Sequence, residues 1–482
     1  MNKKAILIKK EYSKVEIYYE KLQANITPET LAQLKNRKII LESSSQNKLK
    51  GRFSIVVFDS YGKITLDNNQ VQIITQHQNE TIAEKPYQYL KQFVNQYYED
   101  IEDKSLQELP FISGFIGTCS FDLVRHEFPI LQNINLDDHP QHDVNFHMIE
   151  DVYVFDHYKE ELYVISTNLF SQVAREKLIT RVKERINQLK TIQVYQPSIQ
   201  FKPKDKQIET NISEQDFMEI VSDFKKKITE GDMFQVVPSR IYRYKHHFEN
   251  QRQSLSFQLY QNLKRQNPSP YMYYLNMSEP IIVGSSPESF VKVHDGLVET
   301  NPIAGTIKRG RTLEEDEANA HQLINDEKER SEHSMLVDLG RNDIHRICQN
   351  GTSHIKKLME IEKYEHVMHI VSEVTGQIKK DISPMSVIAS LLPTGTVSGA
   401  PKLRAIQRIY EVMPNKRGVY SGGIGYINCN HNLDFALAIR TMMIDDTYIN
   451  VEAGCGVVYD SEPQKELEET KLKAKSLLEV SP

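Results

Sequence analysis

Two pairs of glutamates have the spacing that places both carboxylates of a pair on one helix face. Glu329 and Glu332 lie in Asp326-Glu327-Lys328-Glu329-Arg330-Ser331-Glu332-His333, and Glu466 and Glu469 lie in Ser461-Glu462-Pro463-Gln464-Lys465-Glu466-Leu467-Glu468-Glu469-Thr470. Residues three apart on a helix are side-chain neighbours. Met335, Leu336 and Leu339 follow Glu332 at helical spacing, so this carboxylate shares a stripe with core residues. An inward carboxylate is costly unless it is paired or holds a metal. Arg330 or Arg341 could supply the pairing, and the second glutamate pair could equally be a solvated face. If the two helices meet, their carboxylates make an oxygen-rich site for a hard cation such as Mg2+.

Glycine-rich segments are the next candidates. Pro393-Thr394-Gly395-Thr396-Val397-Ser398-Gly399-Ala400-Pro401-Lys402 fails the Walker pattern, because Lys402 does not directly follow a glycine and no Ser or Thr follows it. Its free backbone N–H groups, a new helix N-terminus and Lys402 would suit a small anion, and a flexible turn is the plainer alternative. Gly454-Cys455-Gly456 lacks the rest of a dinucleotide fingerprint. His366 and His369 with Glu362 and Glu373 do not follow the HExxH order, and ordinary histidines are the simpler reading. No GxSxG elbow is present, which counts against an α/β-hydrolase.

The elements that must carry these groups are mixed. Residues 1 to about 200 read as strand-rich: Ser54–Phe58, Asp151–Asp156 and Leu162–Ser166 are short β-type runs. Ser198 to Thr210 has neither period and is the expected linker. This places a boundary near Pro203 between an N-terminal domain, 1–203, and a C-terminal one, 204–482. Beyond it, Ser213 with Asp216 starts a helix in capping-box fashion. A helix is expected over about 313 to 340, and Ser383-Pro384 is an N-cap and N1 pair. Gly399-Ala400-Pro401 opens another helix, whose buried face would be Ile406, Ile409, Tyr410 and Met413. Ile439–Ile444 and Tyr448–Ala453 read as a hairpin through Asp445-Asp446. Without regular βαβ alternation, the class is α+β.

The whole-chain chemistry narrows the field. The chain has 482 residues, 39% of them hydrophobic and 26% charged, which is globular composition. With 59 basic against 65 acidic residues there is no basic excess for nucleic acid. No apolar run approaches the ~18 residues of a membrane span, and the apolar run at Ala5–Ile8 is too short for a signal-peptide core. Four dispersed cysteines without a CxxC pair fit a reducing compartment. A cytoplasmic protein without membrane or nucleic-acid partners is expected.

Taken together, the segments resemble the chorismate-utilising enzymes, and most closely the component I (large-subunit) family of anthranilate synthases. The resemblance rests on Asn301-Pro302-Ile303-Ala304-Gly305-Thr306, Asp326 to His333, Met335 to Asp343, Leu392 to Lys402, Tyr420-Ser421-Gly422-Gly423-Ile424-Gly425-Tyr426 and Ala453 to Gly456. Their order over nearly the whole chain makes it specific. It implies two orthogonally packed antiparallel β-sheets flanked by helices, with the N- and C-terminal halves intertwined. It implies that Glu332 and Glu469 hold Mg2+ against the ring carboxylate of chorismate, with Glu466 beside them. It makes Glu329 a general acid for the C4 hydroxyl, and His369 a helper in proton removal. Gly305, Thr306, Tyr420, Arg440, Gly454, Cys455 and Gly456 match substrate-binding positions, and Arg440 would clamp the enolpyruvyl carboxylate.

Two positions separate the relatives. Gln235 stands where isochorismate and salicylate synthases carry a water-activating lysine, so ammonia becomes the nucleophile. Ala304 stands where many aminodeoxychorismate synthases carry a lysine. Leu41-Glu42-Ser43 and Asn267-Pro268-Ser269-Pro270-Tyr271-Met272 resemble the two walls of the family's tryptophan site, which would use Glu42, Ser43, Pro270, Tyr271 and Met272 and sit in the N-terminal domain. No cysteine has the GxCxG spacing of a class I glutaminase. The resemblance therefore implies a separate glutamine amidotransferase subunit supplying ammonia, feedback inhibition by L-tryptophan, and anthranilate and pyruvate as products. Aminodeoxychorismate synthase component I and a tryptophan-binding protein without turnover are the alternatives.

Overall fold

A computed structural model describes residues 14–43, 51–67, 69–132, 134, 136, 141–192, 206–364, 367–413 and 415–482. Pro203 and His366 lie outside the described residues, whereas the end of the expected linker, Glu209–Thr210, is a short strand paired with Arg243 and Tyr242.

Period-two burial builds the fold. In the strand Asp151–Asp156, Val152 and Val154 enter one apolar cluster while Tyr153 and Phe155 enter another. Tyr271–Asn276 divides likewise, with Tyr273 and Leu275 on one side and Met272 and Tyr274 on the other. Such strands belong to sheets covered on both faces, the signature of alternation without a solvated side. One cluster is filled from two large antiparallel sheets, and the other is closed by helices including Arg252–Gln266 and Pro463–Leu478.

Each sheet is spliced from both halves of the chain. In the eleven-stranded sheet, five strands from before residue 170 meet six from after residue 205 along one seam, where Lys38–Glu42 pairs with Tyr271–Asn276. The twelve-stranded sheet has its seam where Gly114–Cys119 pairs with Gly423–Asn428. The halves are thus intertwined, and the fold is the α+β, two-sheet architecture expected from the sequence.

Local expectations hold at most helix ends. Ser213 Oγ accepts from Asp216 N at 3.1 Å, and Ser383 Oγ accepts from Ser386 N at 3.2 Å. Thr441–Ile444 and Tyr448–Gly454 form the expected hairpin. The helix expected over 313 to 340 is instead two, Leu313–Asn325 and Glu327–Ile347. Asp326 leaves the helical conformation and its Oδ1 accepts from Glu329 N at 3.0 Å, so it caps the second helix. That cap sets the rotation of the helix carrying Glu329 and Glu332. Among the described residues, no helix is long and apolar enough to cross a membrane.

Candidate active site

Carboxylates of the helix Glu327–Ile347 and of the terminal helix Pro463–Leu478 lie within electrostatic reach of one another. Burial pushes the Glu332 carboxyl above its ordinary range; Gln235 opposes this by donating Nε2–H to Oε1 at 3.0 Å, while Glu469 and Glu466 of the terminal helix add to it by repulsion. Glu329 is raised by burial and then by Glu332. Glu466 is buried and likewise raised by burial, with Ser461 hydrogen bonding opposing and Glu469 adding. Its Oε2 is shielded from water and has no partner among the described residues. Four carboxylates therefore share one neighbourhood, as the two glutamate pairs predict.

Gln235 owes its place to a two-strand ribbon, Gln235–Val236 against Gly399–Ala400. A Cβ on Gly456 would stand 2.8 Å from Gln235 Nε2, so the glycine leaves that amide its path to Glu332. Gly305 serves the other wall. It takes φ +67° at a bulge in the ladder between Ile303–Lys308 and Val367–Gln377, and a Cβ there would meet Glu329 Oε2 at 3.0 Å.

His369, opposite Thr306 in that ladder, lies with Nδ1 3.0 Å from Gly305 O and 3.0 Å from Thr306 Oγ1. A carbonyl only accepts, so Nδ1 carries the proton and Nε2 keeps its lone pair. Burial lowers the pKa of the imidazole, the Gly305 hydrogen bond opposes that, and Arg440 lowers it further, which keeps the ring neutral and basic. Arg440 has φ +50°, and among the described residues its guanidinium has no hydrogen-bond or ion-pair partner. Tyr420 is buried, with Oη 3.0 Å from where a Cβ of Gly454 would be. Burial raises its phenol, so it remains a hydroxyl donor.

Two expected substrate contacts are already engaged. The Lys402 ammonium is buried, 2.5 Å from Asp343 Oδ2 and 3.1 Å from Leu391 O, so it is a core ion pair and not an anion receptor on the glycine loop. The Cys455 N–H donates to Pro238 O at 3.2 Å, and burial holds its thiol well above the ordinary range. Glu42 also turns away from a ligand: its buried carboxylate accepts from Tyr260 Oη and from Lys264 Nζ at 2.8 Å, on the face covered by Arg252–Gln266. Its ladder neighbour is Met272, and Tyr271, one residue along, donates from Oη to Asp434 Oδ1 at 3.0 Å.

Two groups were missed from sequence. Glu288 is buried, accepts from Thr396 Oγ1 at 2.8 Å, and is pushed up to about 7 by burial, against that hydrogen bond and the charge of Lys473. It borders a cavity of about 30 Å³ with Thr300, Leu336 and Gly340. No periodic partner marks it. Lys473 stands 2.6 Å from Glu469 Oε1 and donates to Gly454 O at 2.9 Å. Its i, i+4 spacing from Glu469 was the available signal.

Hard oxygen donors, a buried carboxylate oxygen without a partner and mutual repulsion fit a divalent cation. Among the described residues, no three acidic, histidine or cysteine side chains are gathered to hold an ion. One or two carboxylates with water and substrate oxygens, the habit of Mg2+, is the coordination this geometry fits.

The sequence pattern of the chorismate binding enzymes matches residues 36–479. Anthranilate synthase component 1 of Lactococcus lactis subsp. lactis is 40% identical, covering 92% of this chain and 94% of that protein. Aminodeoxychorismate synthase component 1 of Bacillus subtilis is 36% identical, covering 92% of each. The crystal structure of anthranilate synthase component I from Streptococcus pneumoniae TIGR4 superposes with a TM-score of 0.78 at 36% identity, covering 89% of this chain and 92% of that one.

Proposed function

The chain belongs to the chorismate binding enzymes, in the family of anthranilate synthase component 1, and from that membership we propose that it converts chorismate and ammonia to anthranilate, pyruvate and water with Mg2+. The observation that carries this reading is the convergence of Glu332 with Glu466 and Glu469 from a second helix. A dianionic substrate cannot enter such a neighbourhood without a counter-charge. Glu332 and Glu469 would hold the ion, and when bound it supplies positive charge against the ring carboxylate.

The chain's own groups divide the remaining work. Arg440, free of protein partners among the described residues, receives the enolpyruvyl carboxylate, and Tyr420 Oη donates beside it. Ammonia attacks C2 while the C4 hydroxyl leaves as water, which requires a proton. Two acids whose pKa is raised by burial stand ready to give it: Glu329, whose Oε2 lies against Gly305, and Glu288, pushed up to about 7. Nε2 of His369 then takes the C2 proton as the C3–O bond breaks, and the released enolpyruvate becomes pyruvate. Gln235 orients Glu332 and offers no amine base to activate water.

By the component 1 relationship, ammonia comes from a glutamine amidotransferase subunit. Tryptophan inhibition is assigned to the seam between Lys38–Glu42 and Tyr271–Asn276, using Ser43, Pro270 and Tyr271, with Glu42 and its ladder neighbour Met272 supporting the wall from the helix-covered face. Supporting this is the direct pairing of Glu42 with Met272.

The Bacillus subtilis relative keeps a 4-amino product in contention. Incubation with chorismate, MgCl2 and an ammonium salt should give anthranilate fluorescence that L-tryptophan suppresses. A non-fluorescent product that aromatises only with a separate lyase would reassign the chain.

A further inference from the structure

Glu469 faces a mixed demand. It must hold a dication in the reading above, on which this inference rests, yet its carboxylate already has a cationic partner. Lys473, one turn along the same helix, sits 2.6 Å from Glu469 Oε1, and the same ammonium donates to Gly454 O at 2.9 Å. Its charge also reaches Glu288 and Glu466, lowering the pKa of both. One ammonium thus touches the terminal-helix carboxylate and the Gly454 strand end while reaching the buried acid. An ordinary solvated i, i+4 pair touches nothing beyond its own helix.

We propose that Lys473 is an internal counter-ion that stands in for the divalent cation at Glu469, and that its release from Glu469 accompanies metal binding. Two cations cannot both neutralise one carboxylate edge without repelling each other at close range. Lys473 therefore competes with the metal, and its stem, four carbons long and half-exposed, allows it to swing away. Its cost is a weaker site for the metal. Its benefit is that the terminal-helix carboxylates, Glu466 and Glu469, keep a positive charge beside them before substrate arrives.

The test reads metal binding in the absence of chorismate, so turnover does not enter. Mn2+ is titrated into the full chain and followed by electron paramagnetic resonance, for wild type, Lys473→Met, Lys473→Arg, Glu469→Gln and the Glu469→Gln/Lys473→Met double variant. Lys473→Met should bind Mn2+ about three- to tenfold more tightly than wild type, and Lys473→Arg should resemble wild type. The gain should vanish in the double variant when compared with Glu469→Gln alone. Thermal unfolding of each variant confirms the fold, and Lys473→Arg keeps the comparison available if Lys473→Met does not fold. Equal or weaker Mn2+ binding by Lys473→Met, with wild type binding normally, overturns the counter-ion role and leaves the metal site standing. Absence of Mn2+ binding in wild type and Lys473→Met alike overturns the metal site itself, and the counter-ion role with it.

Discussion

Gln235 Nε2 donates to Glu332 Oε1 at 3.0 Å, and the missing side chain of Gly456 keeps that path clear. A residue from the short ribbon thereby fixes a carboxylate on a helix that lies far along the chain. Gln235→Leu leaves Glu332 buried without its donor, and kcat/KM for chorismate should fall by about ten- to a hundredfold. Gly456→Ala, whose methyl would crowd Nε2, should fall in the same direction by less. Steady-state fluorescence assays check both, and unchanged kcat/KM in Gln235→Leu would dismiss the contact as incidental.

Glu288 should write itself into the pH profile. A carboxyl held up to about 7 is protonated below that pH and ionised above it. If it gives the proton to the departing hydroxyl, kcat declines as pH rises through about 7. Glu288→Gln, which keeps the Thr396 contact but cannot release a proton, should lose about a hundred- to ten-thousandfold in kcat. A profile flat across pH 6 to 8 in wild type would point to Glu329 instead.

The Lys402–Asp343 pair belongs to stability. Lys402→Met strands a buried carboxylate and should cost about 3–5 kcal/mol in chemical unfolding. Adding Asp343→Leu should recover much of that loss, because removing both charges also removes their desolvation cost. A fully stable single variant with a raised KM for chorismate would restore Lys402 to substrate binding.

The seam carries a paired prediction. Ser43→Phe should relieve tryptophan inhibition while sparing turnover measured without tryptophan. Glu42→Gln should lower stability by about 1–3 kcal/mol, since it weakens the buried bonds to Lys264 and Tyr260. Inhibition curves and thermal unfolding of the two variants separate the roles. Undiminished inhibition of Ser43→Phe would remove the tryptophan assignment from this seam.

What the sequence made legible was local. Helical spacing announced the Glu329–Glu332 and Glu466–Glu469 pairs, and the caps at Ser213 and Ser383 followed from side chains that satisfy nearby N–H groups. The break at Asp326 was missed because charged residues on both sides continue a helical pattern while the aspartate turns from helix member to cap. Lys402 was misread because its partner Asp343 comes from a remote helix, so only the fold reveals that its charge is taken. Glu288 follows a strand as a lone acid, and its burial is produced by segments far away in sequence, including Thr396. The order of strands was equally hidden, since both seams join segments that no short-range period relates.

Those spliced sheets have a consequence for how the protein is made. Strand Lys38–Glu42 emerges from the ribosome early, but its neighbour Tyr271–Asn276 is translated only after most of the intervening chain. At about 5–20 residues per second the wait is on the order of ten seconds or more. For that interval a nascent sheet carries an open edge with unpaired amides, the feature most prone to sticking to other chains. The same holds for Gly114–Cys119, whose mate Gly423–Asn428 arrives later still. Production in a heterologous host should therefore depend on chaperone supply and slow growth more than on the stability of the finished molecule.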